Sequence, residues 1–578
     1  MSLISRLHHV LEGRPKDQYV ELKTTTPMDE LKHIANLDGL SNDRLKFVER
    51  LEDGEYGLLD MGENIFYRTA KDVERGFETY SGTIMTFEDP EVKKWLVANI
   101  GGEQGITNGI YGKVGVRGVA GEVTYEQALA AEDVSIPNNK SIRRFNELVY
   151  FKNLKKFTFV NSSIEEISLP YISIGVNGPF YNCTKLRKLT TRYGLDISGY
   201  SFLRSCSTLS DLDTSRWTFS GSSTERMFEG CKSITNLDLR NLEMYTVVDS
   251  SYMFQGCSSL QTLDTSKWNL GNLNNGQYMF HGCSSLQTLD TSKWNLSNLS
   301  NGSSMFNGCT SLQTLDTSKW NLGNLNTAEG MFSLTKITTL DVRDWDLRKL
   351  TNTVCMFFQT PLISLDTSGW VLNNLSNAAQ MFQYCSNLIT LGNTSGWGLE
   401  KLTNAAAMFH QCRSLQSLDT SGWNLENVTT TSLMFDTCMA LTTLGDTSRW
   451  NLIRCTNMQN LLVYCNQLTK VDLTYTSTPL VAVSDLTNVF LYLNTGNLES
   501  IVGDHTETDN VSVFNGYNST EFNISNLGSL NLASILAIIR GLGTNRARKK
   551  FVPSRDFDKS RIPQEYKTML ENKNWELT

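Results

Sequence analysis

The chain has 578 residues, of which 40% are hydrophobic, 10% aromatic and 19% charged, and its formal net charge at pH 7 is −8. This length suffices for several domains and a large core, which excludes a small disulfide-stapled module. The acidic balance argues against binding of nucleic acid or of an anionic membrane by the whole chain. Residues 1–10 lack the apolar core of a secretory signal, and the apolar run 535–539 is too short to span a membrane, so we expect a soluble chain without membrane insertion.

Residues 1–87 precede the repeats and are expected to form a small α/β domain. Residues 56–61 and 64–68 flank a Gly-Glu pair, which is the pattern of a β-hairpin. The stretches 43–51 and 70–79 have the pattern of helices. By analogy with other proteins in which a separate module precedes a binding solenoid, we interpret this domain as an anchor or assembly unit.

Residues 88–137 are expected to form a helical cap that covers the first coil of a solenoid. Glu88 and Asp89 before Pro90 predict a helix start. The segment 121–128 resembles the second half of an EF-hand or dockerin-like calcium loop. In that alignment Gln127 replaces the bidentate glutamate. The preceding ligand positions lack carboxylates and hold Val116, Gly118 and Ala120. We therefore expect a degenerate loop without bound calcium.

A repeat of about 26 residues dominates the rest of the chain. Nine of the 11 tryptophans share one column of this repeat, and ten of the 12 cysteines share another. The period predicts a mainly β solenoid of the leucine-rich-repeat type. We expect irregular coils at 138–205, regular coils at 206–474, and degenerate coils with a helical C-terminal cap at 475–578. The dipeptide Met-Phe marks the register at Met227, Met253, Met279, Met305, Met331, Met356, Met381, Met408 and Met434.

Each regular coil is expected to contain one short strand, as in residues 260–265. Alternation of side chains along that strand predicts that Leu263 and Thr265 point inward and that Thr262, Asp264 and Ser266 point outward. The Met-Phe pair, the cysteine, the leucines and the tryptophan then fill the interior, each stacked on its copy in the next coil.

The cysteine column is expected to be a packing column of buried free thiols rather than a disulfide framework. Threonine replaces the cysteine at Thr335 and Thr360, so the column tolerates loss of the thiol. A zinc site is not expected, because no Cys-x-x-Cys pair occurs in the sequence.

The motif Met-Phe-x-x-Cys-x-x-Leu-x-x-Leu resembles the BspA-like leucine-rich repeats and the related 26-residue surface-protein repeats of gut Bacteroidetes, mycoplasmas, some protists and phages. The resemblance covers roughly residues 138–578, and residues 572–577 resemble the closing segment of the family's C-terminal cap, after a predicted helix at 529–541. The resemblance implies a non-catalytic solenoid for adhesion or recognition and does not name a ligand.

The aspartate column is expected to cap turns, since Asp-Thr-Ser is a good Asx-turn sequence. Metal binding and ligand contact are the alternatives. Basic residues three positions later, such as Lys267, are expected to offset the charge. The column contains Asp213, Asp238, Asp264, Asp290, Asp316, Asp341, Asp366 and Asp419.

Catalytic chemistry is not expected, because the repeats supply residues in columns and single out no nucleophile, base or metal site. His281 and His410 follow Met-Phe at a position that we expect to be variable and solvated. The basic run 545–550 is expected to be solvated surface, with attraction to an anionic polysaccharide or an acidic subunit surface as alternatives. We expect no cofactor.

The sequence favours a structural or recognition protein, most specifically a fibre or peripheral component of a bacteriophage virion, with a phage of gut Bacteroidetes as source. Residues 1–87 are expected to contact other virion proteins, and the chain to form a homo-oligomer. A cell-surface adhesin of a bacterium or protist is the alternative. The solenoid is expected to bind a host-surface glycan or protein through outward strand positions, namely Thr262, Asp264, Thr288, Asp290, Thr314 and Asp316.

Overall fold

A computed structural model describes residues 4–10, 19–24, 45–50, 55–60, 65–68, 84–468, 521–523, 535–536, 539, 549–553 and 557–578, with gaps in the long stretch at 107–110, 113–115, 171–172, 176, 192–194, 448–449 and 453. The chain divides into two compact units. The first contains residues 1–86, 96–107 and 114–129, and the second contains residues 87–95, 108–113 and 130–578. The finer domain limits inferred from the sequence stay predictions.

The N-terminal strands form an antiparallel sheet in chain order, β1 (Ile4–Val10), β2 (Tyr19–Thr24), β3 (Leu45–Arg50), β4 (Glu55–Asp60) and β5 (Ile65–Arg68). The predicted hairpin is confirmed, because β4 pairs with β5 in a register that sets Asp60 opposite Ile65. The predicted helix at 43–51 is wrong. Strand β3 pairs with a neighbour on each side, and this pairing overrides the helical preference of its Leu, Lys, Glu and Arg residues. The stretch 70–79 lies outside the described residues.

The predicted helix start before Pro90 is confirmed by helix α1 (Pro90–Asn99). The Asp89 carboxylate caps the helix by accepting a hydrogen bond from the Glu91 N–H at 3.0 Å. Its other oxygen accepts from the N–H groups of Arg143 and Arg144, at 2.6 and 3.1 Å. One carboxylate thus ties the helix start to an early coil of the second unit.

Gln127 organises the segment that resembles a calcium loop. It lies at the start of helix α2 (Tyr125–Ala130), where Thr124 and Gln127 exchange side-chain to backbone hydrogen bonds at 3.0 and 3.2 Å, forming a capping box. The Gln127 amide also donates to the carbonyls of Gly102 and Val116, at 2.8 and 3.3 Å. A side-chain amide therefore links two carbonyls of this loop. A Cβ on Gly118 would lie only 2.5 Å from this amide, which explains the glycine.

The second unit is a β-solenoid of about 15 turns, which confirms the predicted fold class. The early coils pair through parallel strands whose bounds are β6 (Asp133–Ser135), β7 (Arg144–Phe145), β8 (Lys156–Thr158), β9 (Glu166–Leu169), β10 (Ser173–Ile174), β11 (Lys188–Thr191), β12 (Leu195–Ile197), β13 (Asp211–Leu212), β14 (Trp217–Phe219), β15 (Asn236–Asp238) and β16 (Thr262–Asp264). Parallel sheets join β7, β9, β11 and β13, then β10, β12 and β14, then β15 and β16, and also β6 and β8. Short 3-10 turns lie at Asn146–Tyr150, Met244–Thr246, Ser395–Trp397 and Lys559–Arg561.

We expected one short strand in every regular coil, but in the coils after β16 the strand is reduced to a single paired residue. There the coils pair through single residues, as in Thr288 with Thr314 and Ser364 with Thr390. A buried threonine hydroxyl takes over part of the pairing, since Thr265 Oγ1 donates to the Asp290 carbonyl of the next coil at 2.6 Å. The alternation of side chains is confirmed. Leu263 and Thr265 are buried, Thr262 is exposed, and Asp264 and Ser266 are half-buried.

Two rows of stacked rings run through the core. The phenylalanines of the Met-Phe pairs, from Phe228 to Phe435, stack with centroids 5.2–5.8 Å apart and planes within 10°. The tryptophans from Trp268 to Trp423 stack beside them at 5.4–6.4 Å. Ring centroids at this separation give favourable offset stacking. Each coil thus shares both of its rings with its neighbours.

The predicted burial of the cysteine column is confirmed, and its members also donate hydrogen bonds. Cys309 Sγ lies 3.1 Å from the Phe280 carbonyl of the preceding coil, and the same contact recurs along the column at 2.9–3.2 Å. Thr360 keeps the bond at 3.0 Å to the Phe332 carbonyl, so a hydroxyl can replace the thiol. Burial raises the pKa of the Cys309 thiol to about 12, so the group stays protonated as a donor.

Sharp bends surround each Met-Phe pair. The residue before Met has a left-handed backbone, as at Tyr252 with φ 60° and Tyr278 with φ 56°. The residue before Cys is left-handed as well, with φ 71° at Gly256 and 63° at Tyr384. Most of these residues are not glycine, although the left-handed conformation raises the free energy of any residue that has a Cβ. Two bends per coil turn Met and Phe into the core.

The C-terminal segment contains parallel strands β17 (Glu521–Asn523), β18 (Lys549–Val552) and β19 (Trp575–Leu577), with helix α3 (Gln564–Asn572) before the last of them. Trp575 is buried. Within the predicted helix at 529–541, residues 535, 536 and 539 are described and are helical. Most of the basic run 545–550 lies outside the described residues. None of the helices that the structure describes is long and apolar enough to cross a membrane.

The hydrogen bond of the cysteine column is tested by Cys309→Ala and Cys309→Ser. Alanine removes the donor and some buried volume, so we expect the free energy of unfolding to fall by about 1–2 kcal/mol. Serine keeps a donor at the position where Thr360 shows that a hydroxyl fits, and we expect less than half of that loss. Fluorescence of the buried tryptophans during urea unfolding measures both variants. Equal losses would mean that the column only packs.

Candidate ligand-binding surface

One exposed hydroxyl per coil lines the outer side of the paired segments. We call this column, together with the aspartate that stands two residues after most of its members, the strand row. Thr390 and Thr443 are instead followed by Gly392 and Gly445. The hydroxyls of Thr288 and Thr314 make no hydrogen bond within the part of the chain that the structure describes, and their backbones pair directly. The exposed column contains Thr262, Thr288, Thr314, Thr339, Ser364, Thr390, Ser417 and Thr443.

A surface depression lies over part of the strand row. It is lined by Asn236, Leu237, Asp238, Arg240, Thr262, Leu263, Asp264, Thr288 and Asp290. Four of the six residues predicted as ligand-facing therefore lie around one depression. The other two, Thr314 and Asp316, continue the row in the next coil and do not line the depression. Their role as ligand contacts stays a prediction.

The predicted turn-capping role of the aspartate column is confirmed. Asp290 Oδ1 accepts hydrogen bonds from the Ser292 N–H at 3.1 Å and from the Ser292 hydroxyl at 2.6 Å. The same pair of bonds recurs between Asp264 and Ser266. The second oxygen of Asp264 lies 3.5 Å from Arg240 Nε of the preceding coil, whereas Asp290 forms no ion pair among the described residues and can direct its second oxygen to solvent or a ligand.

The capping hydrogen bonds also set the charge of the row. Hydrogen bonds from the Ser266 side chain and backbone hold the pKa of Asp264 below its usual range. Ser318 and Ser368 have the same effect on the pKa of Asp316 and Asp366. The strand row is therefore acidic over the physiological pH range, with each carboxylate held in a fixed orientation.

Ion pairing differs from the expectation that the residue three positions later offsets the charge. The side chains that pair with the column stand two residues later, as Arg240 does with Asp238 at 2.7 Å and Arg343 does with Asp341 at 2.9 Å. Among the described residues Lys267 forms no ion pair. Arginine reaches back because its planar guanidinium binds both carboxylate oxygens at this short spacing.

The predicted solvation of the histidine positions is wrong. His410 is only 12% exposed, and its Nδ1 lies 3.2 Å from Asp436 Oδ2. His281 is half-buried against the Tyr278 ring, and burial lowers its pKa. This column lies beside Met-Phe on the inner part of the bend, where little water reaches. Among the described residues, no three His, Cys, Asp or Glu side chains come together as possible metal ligands.

A second column of polar side chains was missed by the sequence analysis. Asn275 and Asn301 pair across coils, and their side chains accept hydrogen bonds from the N–H groups two residues later, at 3.2 and 3.0 Å. The signal was present in the sequence, since an Asn, Asp, Ser or Thr stands four residues before each Met of the Met-Phe pairs. The column contains Ser223, Asp249, Asn275, Asn301, Thr327, Asn352, Asn377, Asn404 and Thr430. We call the side of the coil that carries this column the turn side.

Residues 201–315, 287–393 and 387–497 match the family described as "Mycoplasma protein of unknown function, DUF285". The overlapping matches together cover residues 201–497, more than half of the 578 residues. The chain belongs to this family. The match confirms the predicted repeat family.

No curated protein matches this chain. Among solved structures, a leucine-rich repeat protein from Bacteroides ovatus is similar at 15% identity and a TM-score of 0.32, covering 72% of this chain and 92% of that one. A leucine-rich cell surface protein from Faecalibacterium prausnitzii is similar at 13% identity and a TM-score of 0.25, covering 65% and 89%. The functional domain of InlJ from Listeria monocytogenes, which includes a cysteine ladder, is similar at 15% identity and a TM-score of 0.21, covering 75% and 77%.

The capped carboxylates predict an acid-sensitive solenoid. Their folded pKa lies below the unfolded value of about 3.9, so their contribution to stability is present above that value and is lost as the pH falls through the folded pKa. We expect the midpoint of thermal unfolding to fall between about pH 5 and about pH 2. The variant Asp264→Asn/Asp316→Asn/Asp366→Asn keeps an amide oxygen as the cap, as native Asn393 does with Ser395 at 2.9 Å. Its midpoint of thermal unfolding should fall less over this pH range than that of the parent. An equal fall in the unfolding midpoints of parent and variant would contradict the proposal that these carboxylates cause the acid sensitivity.

Proposed function

We propose that this chain is a non-enzymatic recognition protein that binds a host-surface glycan or protein through its strand row. The observation that supports this proposal is the run of exposed hydroxyls and capped carboxylates, which recurs in most of the regular coils. Thr288 and Thr314 have hydroxyls without partners in the described residues, and Asp290 has one carboxylate oxygen free of the turn. Weak contacts to such groups add up over several coils.

We further propose that the chain is carried on a bacteriophage virion, as a fibre or another peripheral component. The N-terminal strands β1–β5 support this proposal, because they belong to a compact unit separate from most of the solenoid. Such a unit suits attachment to other virion proteins and symmetric self-association. The solenoid then serves as the part that meets the host. A cell-surface adhesin is the alternative, and the same strand row serves recognition there.

The location is tested by mass spectrometry of purified particles and of washed cells. We expect peptides of this chain to co-purify with virions through a density gradient and to be depleted from the cell-envelope fraction. An antibody against the chain should label particles in electron micrographs. Recovery from the cell envelope together with absence from particles would replace the virion proposal with the adhesin.

The recognition surface is tested by binding of the full chain to host cells. The variant Thr288→Lys/Thr314→Lys adds two bulky charges to adjacent coils of the strand row, and we expect affinity to fall by at least about tenfold. The matched control Ala379→Lys/Ala406→Lys adds the same charge to adjacent coils of the turn side, at a column that also holds Gln277 and Glu329. It should bind within about twofold of the parent. Equal loss in both variants would contradict the proposed surface.

A further inference from the structure

Three consecutive coils carry one identical segment. Residues 260–270, 286–296 and 312–322 all read Leu-Gln-Thr-Leu-Asp-Thr-Ser-Lys-Trp-Asn-Leu. We call these three segments the repeated block. It contains the middle of the strand row, and the depression described above covers its first two coils.

The turn side of the same coils is not identical. The residue two positions before Met is Gln277, Ser303 or Glu329, and the following residue is Tyr278, Ser304 or Gly330. Recent duplication of whole coils would leave both sides alike. Packing accounts for the identity of buried positions such as Leu263 and Trp268, but exposed positions need no identity for packing. The exposed residues of the block, which are the Gln, Thr, Lys and Asn columns, nevertheless repeat without change. This contrast points to a ligand that meets the same groups in each coil.

The block is also identical in its internal hydrogen bonds. In each coil the serine donates to the aspartate at 2.6 Å. The buried threonine donates to the Asp carbonyl of the next coil at 2.5–2.6 Å. The asparagine side chain accepts from a backbone N–H at 3.0–3.1 Å. The outward polar groups therefore form a rigid array with one copy per coil, spaced by about 4.8 Å, the usual distance between paired strands.

Charge divides the array into two stripes. Lys267, Lys293 and Lys319 are exposed and form no ion pair among the described residues. They make a stripe of ammonium groups beside the Thr and Asp groups of the strand row. The stripe ends at both sides of the block, since Asn241 and Asp344 stand at the lysine position in the flanking coils.

We propose that the repeated block binds an extended linear polyuronate, a glycan in which every sugar carries a carboxylate and hydroxyl groups. This inference rests on the proposed function of the strand row and specifies its ligand class. One sugar lies on each coil, because extended sugar units recur at about the coil spacing of ~5 Å. Successive sugars of an extended 1,4-linked chain place their carboxylates on alternate edges, so the carboxylates on the lysine side pair with the ammonium groups. Sugar hydroxyls on the other side meet the threonines and aspartates.

Identical coils give the ligand several equivalent registers. A chain of about three sugars fills the block once, and a longer chain can bind with any of its internal trisaccharides. Affinity is therefore expected to rise steeply up to about three sugars and then in proportion to the number of registers. A protein epitope or a branched glycan has no such dependence on length.

The test uses 1,4-linked oligomannuronates of about two, three, six and nine sugars, with cello-oligosaccharides of equal length as neutral controls, and titration calorimetry with the full chain. We expect the uronates to bind with this length dependence, at least about fivefold more tightly than the neutral series. Binding should weaken as salt rises, because the lysine contacts are screened.

Substitutions in the block separate this site from the rest of the strand row. Thr288→Val/Thr314→Val removes two unpaired hydroxyls and should weaken hexamer binding by about tenfold. The matched control Thr339→Val/Ser417→Ala removes two hydroxyls of the same column outside the block and should change binding by less than about twofold. Absence of uronate binding, affinity independent of length, equal binding of the neutral series, or equal effects of the two variants would overturn the proposal. Host-cell binding that is still lost in Thr288→Lys/Thr314→Lys would then leave the proposed function standing with another ligand.

Discussion

The structure depends on the fact that no coil satisfies its own interior. Each Phe and Trp ring of the regular coils stacks on its copy one coil away, in addition to contacts within a coil such as that of Phe280 with Trp294 at 6.2 Å. Each column cysteine donates to a carbonyl of the coil before it. Threonine hydroxyls such as that of Thr265 cross in the other direction. Because both apolar and polar partners come from neighbours, a single coil gains little by folding alone, and stability accumulates with the number of stacked coils.

This dependence explains how a short polar segment can be held rigidly at the surface. The hydroxyl of Thr265 and the ring of Trp268 are buried in the stack, so the residues between and beside them have little freedom. Asp264 is fixed further by its bonds to Ser266. A binding surface made in this way needs no long strands, and the regular coils pair through single residues without losing order in the strand row.

Much of the solenoid was predictable from the sequence because its periodic residues are the ones that fill the core. Leu263 and Thr265 were assigned inward from alternation and from apolar residues such as Leu239 and Val342 in the Thr265 column. The aspartate turns followed from Asp-Thr-Ser. The helix predicted at 43–51 failed because pairing with β2 and β4 outweighed local preference. The left-handed backbone at Tyr252 and Tyr278 gave no glycine signal, and the donor role of the cysteines is invisible to a pattern that treats thiols as small hydrophobes. The strand row was found as a column, whereas the depression over two of its coils depends on side-chain positions that spacing cannot provide.

The repeated block has a consequence for how the length of this protein can change over generations. Three identical stretches of amino-acid sequence lie in tandem at a spacing of 26 residues. Loss or gain of one 26-residue unit there joins Leu to Leu in the same register. After such a change each Phe and Trp ring can still stack on its copy in the next coil, and each column cysteine can still donate to a carbonyl of the preceding coil. The solenoid can therefore lengthen or shorten by whole coils in a single genetic event, and the reach of its surface can vary in steps of one coil while the fold stays the same.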